Sequence, residues 1–233
     1  AQGYAELRIP AKNLVLWTPE NPKLYEINLL LNGERISDQI GFRTISTQGT
    51  DILLNGKKVF LRGVCIHEET AGNSARAVNE SDALTLLNWA KEMGCNFMRL
   101  AHYPHNENMV RAAERMGLMV WSEIPVYWTI HWNNPATYAN AESQLVDMIT
   151  RDKNRANVVI WSVANETPLS DERLNFLSRL VDKTREMDNT RLVAAAMEKE
   201  EIRPGVMTVH DPLSEKIDLI SFNQYVGWYD GTW

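Results

Sequence analysis

The hydrophobic rhythm of the chain changes near residue 60. Before that point apolar and polar positions alternate with a period of two, as strands with one covered face require. In LYEINLLLNGERISDQIGFR, Tyr25, Ile27, Leu29 and Leu31 fall on one face while Glu26 and Asn28 fall on the other. Asn32-Gly33 then supplies the pair that a type I′ hairpin turn demands. A second hairpin runs from Ile52 to Leu54, turns at Asn55-Gly56 and returns from Val59 to Val64. So few antiparallel strands cannot close a sandwich, which takes about 100 residues. Residues 1–46 are therefore expected to be the trailing part of a β-sandwich, and residues 47–233 a second unit.

Beyond the second hairpin, short apolar runs alternate with segments of helical period. Helices are expected from Asp82 to Met93 (Ser81 as N-cap, Gly94 as stop), from Glu107 to Met116 (Gly117 as stop), around Ala141 to Arg151, and from Asp171 to Met187. EMGCNFMRL and RMGLMVWSE repeat one pattern of helix end, glycine and short strand. About six parallel strands result, beginning near Phe60, Phe97, Met119, Val158, Leu192 and Leu219. Such alternation makes a parallel sheet, either doubly wound or closed as a barrel. No glycine-rich phosphate loop follows the first strand, which favours the barrel.

A barrel gathers its chemistry at the C-terminal ends of its strands. The residues there are His67 and Glu68; Arg99 and His102; Glu123; Asn165 and Glu166; Glu198; and Asn223, Gln224 and Tyr225. The run VVIWSVANETP, Val158 to Pro168, is the clearest case, because a strand buried on both faces ends abruptly in Asn165 and Glu166. A carboxylate in that position is costly unless it meets a cleft, a partner or a proton. Capping the helix that starts at Asp171 is the alternative.

Composition narrows the chemistry. With 233 residues and 44% hydrophobic content, the chain suits one large domain or a barrel with an appendage. Its net charge of -6 is spread without a long basic run, which argues against nucleic acid or an anionic membrane as partner. No window approaches the roughly eighteen apolar residues of a membrane span. AQGYAELRIP lacks the regions of a signal peptide, and the compartment stays open between cytoplasm and periplasm. Cys65 and Cys95 sit in apolar runs and are expected to be buried thiols; neither has a CxxC partner. Several of the eight tryptophans lie at or beyond strand ends, where they could form platforms for sugar rings.

No metal site is expected, since the first strand has no His-x-His and His102 and His105 straddle Pro104. No nucleophile elbow supports a catalytic serine or cysteine. Carboxylates with hydroxyl-binding and aromatic neighbours remain, and these suit glycoside hydrolysis, which needs two carboxyl groups.

The segments WTPENPKLY, GFR, LNGK and LRGV with His67-Glu68, RLAHYPH, RDKNRANVVIWSVANE and FNQYVGWYDG together resemble glycoside hydrolase family 2, in order and over nearly the whole chain. The resemblance implies an α/β chain: the C-terminal part of an immunoglobulin-like β-sandwich, then an incomplete TIM (β/α)8 barrel of about six βα units. It implies a retaining exo-β-glycosidase without cofactor, acting on β-linked glycosides or glucuronides, the full-length protein a homo-oligomer. Glu166 matches the general acid/base and Asn165 its neighbour, which can bond the sugar 2-hydroxyl. His102 matches a substrate contact, Arg99 a support for the catalytic carboxylates, and Tyr225 a neighbour of the nucleophile. His67, Trp228 and Tyr229 match cleft positions; for His67 a packed, supporting imidazole is the alternative. Glu123 matches a family acid, with a structural salt bridge to Arg99 equally open. Glu198 has no matching motif and is expected to be solvated.

The family nucleophile follows the seventh strand, and no glutamate of this chain stands in a matching context. The chain is thus expected to be a piece of a longer enzyme, inactive and poorly stable alone because its sheet edges are open. The acid/base role requires a pKa for Glu166 raised by a dry site or a second carboxylate. NQYVGWYDG points to the β-glucuronidase branch over β-galactosidase; a non-catalytic carbohydrate-binding barrel is the reading from another class.

Overall fold

The computed structural model describes Gly3, residues 6–70, Gly72 and residues 75–229. Strands β1 (Tyr25–Leu31) and β2 (Glu34–Ile40) form a two-stranded antiparallel hairpin. Its turn residues Asn32 and Gly33 both have positive φ, as a type I′ turn requires. Tyr25 and Ile27 are half-buried, but Leu29 and Leu31 on the same face are exposed. An immunoglobulin-like sandwich is not visible among the described residues, where this hairpin has no second sheet to cover its apolar row.

Strands β3 (Ile45–Gln48), β4 (Asp51–Leu54) and β5 (Lys57–Val59) make a three-stranded antiparallel sheet. The barrel begins with β6 (Gly63–Ile66), later than the expected Phe60. The expected single strand from Val59 to Val64 is divided between two sheets. Then follow α1 (Glu80–Glu92), β7 (Phe97–Leu100), α2 (Glu107–Arg115), β8 (Met119–Glu123), α3 (Pro135–Asp152), β9 (Val158–Asn165), α4 (Asp171–Met187) and β10 (Leu192–Met197). A small hairpin of β11 (Glu200–Arg203) and β12 (Val206–Thr208) occupies a stretch that reads as loop, and β13 (Leu219–Phe222) is the last strand of the described parallel sheet. Asn79 caps α1 in place of Ser81, its side chain accepting from the Asp82 N–H, and Asn134 with Pro135 starts α3 one and a half turns earlier than its apolar pattern suggests.

Strand order is β6-β7-β8-β9-β10-β13, every pair parallel. A doubly wound sheet reverses order at a switch point. This one never does, so right-handed crossovers place the helices on one side and leave a curved wall of six strands of a TIM barrel. Alternate residues serve two cores. Val120, Trp161, Val163 and Val193 pack against Leu87, Leu145, Phe176 and Leu180 of the helices. Met119, Trp121, Ile160 and Ala194 turn inward and meet Trp17, Ile45, Ile52, Leu54 and Val59, so the three-stranded sheet plugs the barrel interior. Cys95 is buried as expected, whereas Cys65 is exposed, because its edge strand has a neighbour on one side alone.

The N-terminal ends of the strands are locked by arginines that take carbonyls the sheet leaves open. Arg43 of the GFR segment donates to Ala156, Thr190 and Val158 carbonyl oxygens at 3.0, 2.9 and 2.6 Å. Arg191 donates to Val158 and Arg155 carbonyl oxygens and pairs with Asp188 at 2.6 Å. Burial pushes the Asp188 carboxyl up, but the Arg191 charge and bonds from Thr190 and Trp161 outweigh it and hold the group at about 2. A carboxylate depressed from 3.8 to about 2 stabilises the fold fully above pH 4 and loses that contribution, about 2 kcal/mol, as pH falls toward 2. Asp188→Asn is expected to lower stability at pH 7 and to flatten the acid limb of chemical-denaturation midpoints between pH 4 and 2. An unchanged acid limb would count against the assignment.

Candidate active site

The strand ends converge on one buried ion pair. Arg99 at the end of β7 donates to both oxygens of Glu123 at the end of β8, at 3.1 and 3.0 Å. Glu123 is 1% exposed and also accepts from the Trp121 indole at 2.7 Å. His102 Nδ1 stands 2.6 Å from its Oε1, so that nitrogen carries the proton. Glu123 thereby makes the salt bridge that its sequence context allowed. Arg99 reaches on to Asn165 Oδ1 at 2.6 Å and Asn223 Oδ1 at 2.9 Å, and so ties four strand ends together.

Asn165 and Glu166 are presented by an irregular strand end. Between Ser162 and Asn165 the register of β9 against β10 slips by one residue, a bulge that re-aims the last side chains. Glu166 then turns left-handed at φ 47, a conformation that costs a non-glycine residue roughly 1–3 kcal/mol. Backbone bonds hold it there: the Glu166 N–H donates to Ala196 at 2.8 Å, and the Asn165 N–H to Val126 at 2.9 Å. Its side chain caps no helix, for Ser170 caps α4. Asn223 donates to Glu166 Oε1 at 2.7 Å and the Tyr225 hydroxyl does so at 2.5 Å. Asn223 also donates to Asn165 at 3.0 Å.

These donors reverse one expectation. Partial burial pushes the Glu166 carboxyl up, yet the bonds from Tyr225, Asn223 and Trp128, with the charge of His102, bring it below the usual carboxylate range. Hydrogen bonds to the charged form outweigh desolvation because the group stands at an open mouth. The Tyr225 phenol is pushed up to about 12, by burial and by its bond to Glu166, and remains a donor at neutral pH.

His67 is exposed, edge-on to His102 at 5.5 Å, with Nδ1 3.4 Å from the Tyr103 hydroxyl. It is thus a rim residue rather than a packed one. Its neighbour Glu68 is buried and anchors the loop after β6 through Arg76 and the Asn106 N–H. Trp228 and Tyr229 are exposed and border a cavity of about 720 Å³ that Glu166, Asn223, Tyr225, Trp128, Met197, Glu198 and Lys199 complete. Asp230 and Gly231 of the FNQYVGWYDG segment lie outside the described residues. Glu198 is exposed as expected, but it borders the same cavity as Glu166, and burial and the Glu166 charge push its carboxyl up. His105 turns elsewhere, its Nε2 3.0 Å from the Ala101 carbonyl.

Sequence reasoning placed Arg99, His102, Glu123, Asn165, Glu166 and Tyr225 at one end of the sheet, and the structure joins them in one network. It passed over Trp128 and gave Asn223 no role. Asn223 could be found as the strand-end polar residue of β13; Trp128 has no periodic signal, since it lies in the loop after β8.

Removing the cation would leave Glu123 buried beside a neutral side chain. Arg99→Met is expected to cost roughly 3–5 kcal/mol of stability in urea denaturation at pH 7. A loss below about 1 kcal/mol, the range of exposed pairs, would contradict the buried-pair reading.

The family model described as "Glycosyl hydrolases family 2, TIM barrel domain" matches residues 45–232. A β-glucuronidase of Paenibacillus borealis is 30% identical over 95% of this chain and 39% of its own length. A β-galactosidase of Thermoanaerobacterium thermosulfurigenes is also 30% identical, over 88% of this chain and 30% of its own. The crystal structure of a family 2 β-galacturonidase from Eisenbergiella tayi bound to galacturonate superposes with a TM-score of 0.85 at 28% identity, covering 95% of this chain and 39% of that one. The chain therefore spans less than half the length of these relatives.

Proposed function

We propose, from the premise that this chain belongs to glycosyl hydrolases family 2, that the protein carrying it is a retaining exo-β-glycosidase of β-glucuronidase-like preference, with Glu166 as its general acid/base. The observation that carries the assignment is the left-handed Glu166 at the mouth of β9, its carboxylate fixed by Tyr225 and Asn223. Residues 1–46 are taken as the tail of a sandwich domain and residues 47–233 as barrel.

In the first step Glu166 gives its proton to the glycosidic oxygen while the C1–O bond breaks and its electron pair leaves with the aglycone. A second carboxylate forms the new bond to C1, and Glu166 then takes a proton from the water that releases the sugar. The nucleophile is assigned to polypeptide outside this chain. Support comes from the six-stranded sheet and from the share of its relatives that the chain covers. A carboxyl held below its ordinary range is a poor acid at neutral pH, so the proposal requires substrate or that second carboxylate to raise Glu166 during turnover. Asn165, pinned by Arg99 and Asn223, is placed for a sugar hydroxyl, and His102, fixed by Glu123, offers the ring nitrogen that Glu123 does not use.

A uronide substrate is favoured because a β-glucuronidase and a galacturonate-bound β-galacturonidase each align with 95% of the chain. The equally identical β-galactosidase keeps a neutral galactoside as the second reading. In the complete gene product, Glu166→Gln is expected to lower kcat on alkyl β-glycosides by about 10²–10⁴. Equal kcat in the two proteins would overturn the assignment. A higher kcat/KM for nitrophenyl galactoside than for the glucuronide would replace the substrate class. The 233-residue polypeptide alone is expected to be inactive on either.

A further inference from the structure

Glu166 is held on its two sides in different ways. Upstream, backbone bonds lock the chain: the Asn165 N–H donates to Val126 and the Glu166 N–H to Ala196. Downstream, residues 167–169 make no backbone–backbone hydrogen bond among the described residues, and Pro168 has no N–H to offer. Yet Thr167 is fully buried. Its hydroxyl supplies the anchor that the backbone lacks, accepting from Arg173 Nε at 2.9 Å. Arg173 is itself buried and stands in the first turn of α4, where the helix dipole disfavours a cation. Asp211, also buried, compensates the charge: Arg173 Nη1 donates to its Oδ1 at 2.7 Å, and Nη2 lies 2.7 Å from its Oδ2. Asp211 is fixed in turn by the Leu213 N–H, which donates to Oδ1 at 2.9 Å.

Taking Glu166 as the acid/base, we infer that Arg173 is a positioning residue: acting through Thr167, it fixes the chain on the exit side of Glu166 and so aims the carboxylate. Glu166 keeps a left-handed φ of 47, which a residue with a side chain does not favour, so the conformation lasts only while both flanks are fixed. A shift of the chain at Thr167 would swing the carboxylate away from Tyr225 and Asn223, its two donors. Misplacing a catalytic group by about 1 Å costs on the order of 10²-fold in rate. Arg173 thus acts on the carboxylate at one remove, through a neutral hydroxyl.

The same guanidinium joins two loops of the mouth. β10 ends at Met197, and Glu198 and Lys199 beyond it border the cavity that Glu166 lines. The chain leaves there into the β11–β12 hairpin and returns at Asp211. Arg173 therefore holds both the exit of the acid/base strand and the return of the loop that begins at the cavity wall. Capping does not account for the arrangement, because Ser170 caps α4. Charge compensation ends with Asp211; the bond to Thr167 is the contact that carries the rigidity of the pair to Glu166.

The test uses the complete gene product and two glycosides of one sugar. A dinitrophenyl aglycone departs without a proton; an alkyl aglycone needs one. Thr167→Val keeps the shape of the side chain and removes the acceptor. It is expected to lower kcat/KM about tenfold or more on the alkyl glycoside and under about threefold on the dinitrophenyl glycoside. Thr167→Ser, which keeps the acceptor, is expected to recover most of that loss. Arg173→Lys keeps a charge opposite Asp211 but gives up the planar fork, and is expected to show the same selective loss. Because both changes remove one bond, the double variant is expected to lose no more than the worse of the two single variants. If Glu166→Gln loses the alkyl glycoside selectively and Thr167→Val does not, the positioning role is wrong while the acid/base assignment stands. If Glu166→Gln shows no leaving-group dependence, the acid/base assignment fails and the role of Arg173 fails with it. Equal losses on both glycosides in Thr167→Val, with a lower urea midpoint, mark a merely structural contact and overturn the proposal.

Discussion

The mouth of the barrel depends on keeping one carboxylate charged where water hardly reaches. Glu123 is buried, and an isolated ionised carboxylate in such a place would neutralise or unfold its surroundings. Arg99, Trp121 and His102 supply four donor contacts and one full charge, and those partners come from two neighbouring strands and the loop after one of them. Because Arg99 also donates to Asn165 and Asn223, the same ion pair sets the ends of β9 and β13. The side chains at these strand ends are thus oriented by one buried pair.

Glu166 is held by a different logic. Its partners are neutral donors at a half-open mouth, and they stabilise the anion. A group so placed is well aimed and poorly disposed to carry a proton. Aim is a property of the strand end, whereas proton affinity depends on what shares the cavity.

Much of the architecture is legible along the chain because it rests on local rules. Alternating strand and helix patterns, Asn-Gly turns and glycine stops place β7, α2, β8, β9 and α4 close to where they lie. The misses have physical reasons. The first barrel strand starts at Gly63 because residues 57–59 pair back onto β4, a choice between two sheets that a continuous apolar run does not reveal. Cys65 is exposed because its strand is an edge. The start of α3 was hidden because Asn134 and Pro135 act through capping before any apolar period begins.

The sequence by itself determined which residues stand at the C-terminal ends of the strands, since each short apolar run of the barrel gives way there to polar residues. It determined as well that a carboxylate follows the most buried of them. Only the tertiary structure decided the protonation balance of Glu166. It follows from Asn223 and Tyr225, donors 57 and 59 residues away in sequence, and no local pattern records what a distant side chain will donate to.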